Sequence, residues 1–271
     1  MSRKRMPSAP PAANLELAAG GAACAAPSLQ AEKPALGRAP GTLYLVSTPI
    51  GNLEDISLRA LRVLRQVRLV AAEDARITRK LLDHFAIPTQ VLTYRLHSRC
   101  NQTEELLACL RAGQEIALVS DAGTPAIADP GSRLIAAAIA QGVPVVPIPG
   151  PVAAISALVV SGLPTGRFAF DGFPPRPRAD RQAFFASLAR ETRTILLYEK
   201  ASCLHATLED LLSALGPDRA LAIARDLTKP GETIYRGTLG QAIPPFRRRK
   251  PRGEFVLVIA GSPTPDAPSP E

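Results

Sequence analysis

The chain has 271 residues, 46% of them hydrophobic, which is enough for one large or two small domains that bury a core without metal or disulfide staples. Its 32 Lys and Arg against 24 Asp and Glu leave a formal charge of +8, favouring a polyanionic partner through counterion release, while the absence of Trp argues against a base-stacking platform. Cys24, Cys100, Cys109 and Cys203 form no C-x-x-C pair or His cluster, and no run approaches the roughly 20 apolar residues of a membrane helix; neither a zinc site nor a disulfide framework is suggested, and a cytoplasmic protein without metal or membrane span is expected.

Residues 1–40 are dominated by Ala, Pro, Gly and Ser and are expected to form a disordered extension, because such a composition buries too little apolar area to offset its ordering entropy. Arg3, Lys4 and Arg5 imitate the start of a signal peptide, but Pro10, Pro11, Asn14 and Glu16 interrupt any apolar core behind them. From Thr42 on, β-branched or Leu-rich runs alternate with helical patterns. Thr42 to Ser47 is strand-like. Ile56, Leu58, Leu61, Val63 and Leu64 recur at near-helical spacing behind a possible Asp55 cap. Then follow a strand at 69–72, a helix over about 76–85, a strand at 90–94, a helix at 102–112, a strand at 115–120, a helix at 131–141, a strand at 144–147 and a helix at 151–161. These five βα units predict an N-terminal α/β domain over 41–164. Less regular strands (168–172, 194–198, 219–224, 233–237, 254–260) and helices (178–190, 202–215) predict a second α/β domain over 165–262, before a Pro-rich disordered tail at 263–271.

Three loops follow strands and together look like a ligand site, since open α/β sheets bind at the carboxyl ends of their strands. They are Ser47-Thr48-Pro49-Ile50-Gly51-Asn52, Ser120-Asp121-Ala122-Gly123-Thr124-Pro125 and Pro147-Ile148-Pro149-Gly150-Pro151. Small residues let a ligand approach the backbone, and prolines stiffen the turns; each loop alone reads more readily as a tight turn, and it is the three together that point to a site. No G-x-G-x-x-G, P-loop or G-x-S-x-G motif is present, so a dinucleotide enzyme, a P-loop nucleotidase and a serine hydrolase are disfavoured. The densest polar segment is Glu73-Asp74-Ala75-Arg76-Ile77-Thr78-Arg79-Lys80. It is either a helix start with acids first and bases later, as the macrodipole prefers, or a functional cluster.

LYLVSTPIGNLEDISLRALRVL, LVAAEDARITRKLLDHF, LVSDAGTPAIADPGSRLI and VVPIPGPVAAISALVVSGLPTGRFAFDGFPPR, taken in order, resemble the ribosomal small subunit methyltransferase I family from about Gly41 to Gly261. The resemblance implies a tetrapyrrole-methylase fold with two α/β domains and the cofactor cleft between them. It further implies S-adenosylmethionine as cofactor and, as substrate, the ribose 2′-oxygen of cytidine 1402 in the 16S rRNA of the 30S ribosomal subunit; a homodimer is expected on the same ground.

The resemblance places Pro49, Ile50, Gly51, Asn52, Asp121, Ala122, Gly123, Thr124, Pro149 and Gly150 at the cofactor, closed by backbone near Ala222 to Ala224 and Ile259-Ala260. A weakly acidic ribose hydroxyl calls for a base, for which Glu73, Asp74 and His97 are candidates. Arg76, Arg79, Lys80 and the run Arg247-Arg248-Arg249 are expected RNA contacts, because guanidinium groups suit phosphate. The family's polar residues are only partly matched at Tyr94-Arg95-Leu96-His97-Ser98 and Tyr198-Glu199-Lys200-Ala201-Ser202-Cys203. Two alternatives stand beside this reading: a methyltransferase of the same fold acting on a tetrapyrrole or other small molecule, and a non-catalytic RNA-binding member.

Overall fold

The structure, a computed structural model, describes residues 39–95, 100–247 and 252–263. The Ala/Pro-rich extension to residue 38, His97, Arg248, Arg249 and the tail from residue 264 lie outside the described residues.

The first half alternates strand and helix without a break: β1 (Leu43–Val46), α1 (Leu58–Gln66), β2 (Leu69–Ala72), α2 (Ala75–His84), β3 (Val91–Thr93), α3 (Cys100–Arg111), β4 (Ile116–Val119), α4 (Ser132–Ala140), β5 (Val145–Ile148) and α5 (Ala153–Ser161). Its five strands form a wholly parallel sheet in the order β3-β2-β4-β1-β5. Every residue of β2 and of β4 is buried, which is why these strands read as unbroken apolar runs: a parallel sheet is covered by helices on both faces. On one face Val46, Val70, Ala72, Ala117 and Val119 pack against Ala60, Val63 and Leu64 of α1 and Leu81 and Leu82 of α2. On the other, Leu118 sits where a Cβ on Gly131, the cap of α4, would approach within 2.7 Å. The helix after β1 does not begin at Asp55. Asn52 caps a short 3-10 turn over Leu53–Asp55, and Ser57 then caps α1 by accepting from the Ala60 N–H at 3.0 Å. That start turns Leu58, expected on the apolar face, out to solvent at 86% exposure.

The second half contains β6 (Phe168–Phe170), α6 (Arg178–Ser187), β7 (Thr194–Lys200), α7 (Leu204–Leu215), β8 (Ala220–Arg225), β9 (Thr233–Thr238), α8 (Leu239–Arg247) and β10 (Glu254–Ile259). These strands make a mixed sheet in the order β6-β7-β10-β8-β9, antiparallel except between β6 and β7. Strict alternation of its central strands sorts two apolar faces. Ile195, Leu197, Leu221, Ile223, Phe255 and Leu257 face α6, α7 and α8. Leu196, Ala222, Ala224, Val256 and Val258 face α5 and, from the first sheet's β1 loop, Ile50. Between α6 and α7, Arg181 and Asp210 form a buried ion pair at 2.7 Å, with Gln182 also donating to the carboxylate. The pattern around Pro244 and Pro245 gave no reason to expect α8, yet both prolines lie inside it.

Candidate active site

The three loops singled out in the sequence leave β1, β4 and β5, which are neighbours in the sheet, so their carboxyl ends converge. They are tied to each other. Thr48 and Gly123 exchange backbone hydrogen bonds, N–H to carbonyl at 2.9 and 3.0 Å, and the Thr48 hydroxyl donates to the Ser120 carbonyl at 3.2 Å. The Ser47 and Thr124 hydroxyls are 2.8 Å apart, and Thr124 donates to the Pro151 carbonyl at 3.1 Å. Gly123 holds a φ of 86°, and Gly150 packs so closely that a Cβ would fall 2.7 Å from that of Ser47. Glycine at these two positions is therefore demanded by the loop framework itself.

Between these loops and the α5 face of the second sheet lies a cleft of about 530 Å³. Ile50 and the segment Asp121, Ala122, Gly123 and Thr124 line it from the first half. Tyr198, Lys200, Ala224, Leu227 and the stretch 253–256 line it from the second. Of the backbone expected to close the cleft, only Ala224 does so; Ile259 and Ala260 are not on its wall. Gly150 packs against the β1 loop, Pro149 is not on the cleft wall, and the residues that reach the cleft from this segment are Val152 and Ala153. The Asn52 side chain accepts from the Glu54 N–H at 3.1 Å, on the surface. The Tyr198 hydroxyl accepts from the Ala154 N–H at 3.3 Å, joining the second sheet to the start of α5.

Three carboxylates share one wall: Glu73 after β2, and Asp121 and Asp129 after β4. Burial in the cleft raises all three above their ordinary values. The Asp121 charge adds to the rise at Glu73, and the Glu73 charge helps push Asp129 up to about 6. Asp129 escaped the sequence reading because it sits at the end of Ala126-Ile127-Ala128, in a loop whose return to the cleft depends on left-handed backbone at Ala126 (φ 68°) and Ala128 (φ 62°), which no residue type there signals.

Glu73 and its neighbour Asp74 part company in the structure. Asp74 caps α2, accepting from the Arg76 N–H at 2.9 Å and pairing with the Arg76 guanidinium at 2.6 Å. Those bonds hold its carboxyl well below the usual carboxylate range. Its own N–H donates to Asp121 at 2.9 Å, which fixes the β2 loop to the β4 loop. Arg79 donates to the Thr89 carbonyl at 3.1 Å. Lys80 is exposed and lines a second, smaller pocket. Arg247 closes α8. Among the described residues there is no His, Cys, Asp and Glu cluster fit for a metal, and no helix is long and apolar enough to cross a membrane.

A parallel sheet and a mixed sheet enclosing a cleft at the first sheet's carboxyl edge define the class: the profile of the Tetrapyrrole (Corrin/Porphyrin) Methylases matches residues 42–243, and the chain belongs to that family of methyltransferases. Its curated relatives narrow the placement. A protein of Synechocystis sp. named ribosomal RNA small subunit methyltransferase I is 54% identical over 84% of this chain and 82% of its own length. One of the same name from Halalkalibacterium halodurans is 46% identical over 82% of this chain and 76% of its own. The fold is similar to that of the uroporphyrin-III-C-methyltransferase from Thermus thermophilus, with a TM-score of 0.58 at 24% identity, covering 80% of this chain and 94% of that one.

Proposed function

We propose that the protein transfers a methyl group from S-adenosylmethionine to the ribose 2′-oxygen of cytidine 1402 in 16S rRNA, acting in the cytoplasm on the 30S subunit as a homodimer. The observation that carries the reading is the cleft wall: a carboxyl suited to accept a proton, Glu73, beside a loop of small residues, in a chain whose relatives carry the name of a small-subunit rRNA methyltransferase. The soluble-side assignment and the dimer rest on the family resemblance.

S-adenosylmethionine fits the residues present. The cleft volume of about 530 Å³ lies within the roughly 300–1,000 Å³ typical of ligand pockets. The acidic wall of Glu73, Asp121 and Asp129 suits a cationic ligand, and Ile50, Val152, Ala224 and Leu227 suit its uncharged remainder. When bound, the cofactor supplies an activated methyl group. The protein's own part is to position the acceptor and take its proton. A ribose hydroxyl is seldom ionised near neutral pH, and a carboxylate whose affinity for protons is raised by burial is a better base than an exposed one. Asp74, pinned by Arg76, serves instead to hold the loop that carries Glu73.

A small tetrapyrrole acceptor is the second reading, since the fold allows it. The acidic inner wall disfavours it, because such acceptors carry several carboxylates that would be buried against Glu73 and Asp129. RNA can keep its phosphates outside, near the exposed Arg76 and Lys80. Calorimetry with S-adenosylmethionine, and methyl incorporation into unmodified 30S subunits against porphyrinogens, decides between them. Transfer to porphyrinogen alone would overturn the proposal.

A further inference from the structure

Beside the main cleft is a pocket of about 250 Å³ that no step above uses. Its wall holds Pro49 and Gly51 of the β1 loop, Ser120 and Asp121 of the β4 loop, and Thr78 and Lys80 of α2. Along the β1 loop the lining alternates: Ile50 belongs to the large cleft, and Pro49 and Gly51 to the small pocket. The loop is thus a partition, and Asp121 lines both sides.

One side chain in this pocket has an unmet need. Thr78 is 2% exposed, and its hydroxyl has no hydrogen-bond partner among the described residues. Helical threonines commonly satisfy themselves by bonding back to a carbonyl one turn earlier, and here the Asp74 carbonyl already accepts the Thr78 and Ile77 amides. A buried hydroxyl without a partner costs free energy and calls for an explanation, of which a ligand is one. At the rim, Ile77 and Leu53 are exposed apolar side chains, at 45% and 38%, and Lys80 adds a cation. At about 250 Å³ the pocket is smaller than the roughly 300 Å³ at the lower end for drug-sized ligands, which matches a single nucleotide fragment better than a cofactor.

We propose that this pocket is the acceptor subsite: a ribonucleotide turned out of its RNA strand enters it, with the Thr78 hydroxyl hydrogen-bonded to the nucleotide, Ile77 and Leu53 against its apolar face, and Lys80 at a flanking phosphate. Enzymes that act on a base draw its nucleotide out of the stack into a fitted pocket, and here the two spaces meet at Asp121, which lines both, with Glu73 on the wall of the larger one. The inference rests on the rRNA methyltransferase reading and adds the place where the nucleotide sits.

Thr78→Val keeps the shape and removes only the hydroxyl, so the variant should melt no lower than the wild type and bind S-adenosylmethionine with unchanged affinity. Its KM for unmodified 30S subunits should rise about three- to tenfold, the worth of one neutral hydrogen bond, with kcat little altered. Lys80→Ala should flatten the salt dependence of 30S binding by about one unit of log-log slope. An unchanged KM in Thr78→Val, or a joint loss of stability and cofactor affinity, would overturn the assignment and make Thr78 structural. If the wild type itself binds S-adenosylmethionine yet methylates no 30S subunit, the functional reading fails first and the acceptor subsite falls with it.

Discussion

Asp129→Asn should stabilise the free protein at alkaline pH while impairing its function. The Asp129 carboxyl is pushed from an ordinary value of 3.8 up to about 6, chiefly by burial and then by the nearby Glu73 charge, so ionising it in the folded state costs free energy. A folded-state value above the unfolded one in an acid means that the native state binds more protons between the two. The cost is absent below about pH 4, grows as pH rises and is complete above about pH 6. At 1.36 kcal/mol per pH unit the interval corresponds to about 3 kcal/mol; the group is only half-buried, and screening by solvent reduces this to about 1–2 kcal/mol. Asparagine has the same shape and no charge. In a chain of this size the gain should appear as a Tm about 2–8 °C higher than wild type at pH 8, shrinking to nothing near pH 4. Calorimetric melts of both proteins across that range check it. A pH-independent difference, or a lower Tm at pH 8, would refute the argument that the cleft strains this carboxylate.

The same acids should make S-adenosylmethionine bind more tightly at about pH 7.5 than at about pH 5.5, since protonation removes the charge that suits a cation; a flat calorimetric profile would contradict this. Glu73→Gln should lower kcat on 30S subunits by about 100-fold or more, a loss far larger than any weakening of cofactor binding, whereas Asp74→Ala should chiefly lower stability through the lost cap of α2, so kinetics and melts of the two variants should separate. Arg181→Ala leaves the buried Asp210 charge without its ion partner and should cost about 3–5 kcal/mol in denaturant unfolding, part of which Asp210→Asn should restore in the double variant. Deleting residues 1–38, whose composition cannot support a core, should leave Tm and methyl transfer nearly unchanged in scanning calorimetry and isotope incorporation.

Much of the first sheet was legible because β2 and β4 are buried on both faces and α1 and α2 carry clear apolar stripes, so these strands and the βα alternation stand out in the sequence. The three loops beside the cleft were legible too, through the small residues and prolines that the framework of Thr48, Gly123 and Gly150 requires. A bulky residue at Gly123 would disturb the fold as well as the cleft, because of its φ of 86° and its pairing with Thr48. What stayed hidden depends on contacts distant in sequence. Nothing local distinguishes Glu73 from Asp74, and only the arrangement around Asp121 and Arg76 separates a cleft-lining acid from a helix cap. Asp129 depends on two left-handed alanines, and α8 on packing of Leu239 and Ala242 against the second sheet that overrides Pro244 and Pro245. Asp55 and Ser57 are both good caps two residues apart, and only the 3-10 turn over Leu53–Asp55 decides for Ser57.

The central claim is tested most directly by incubating the full chain with isotopically methyl-labelled S-adenosylmethionine and 30S subunits that lack the modification, then digesting the 16S rRNA and locating the label by nucleoside mass spectrometry. The label should be recovered as 2′-O-methylcytidine at position 1402, and a reconstituted subunit with deoxycytidine there should bind comparably and accept none. Label on a base, at another nucleotide, or on the deoxy substrate would contradict ribose methylation at that site.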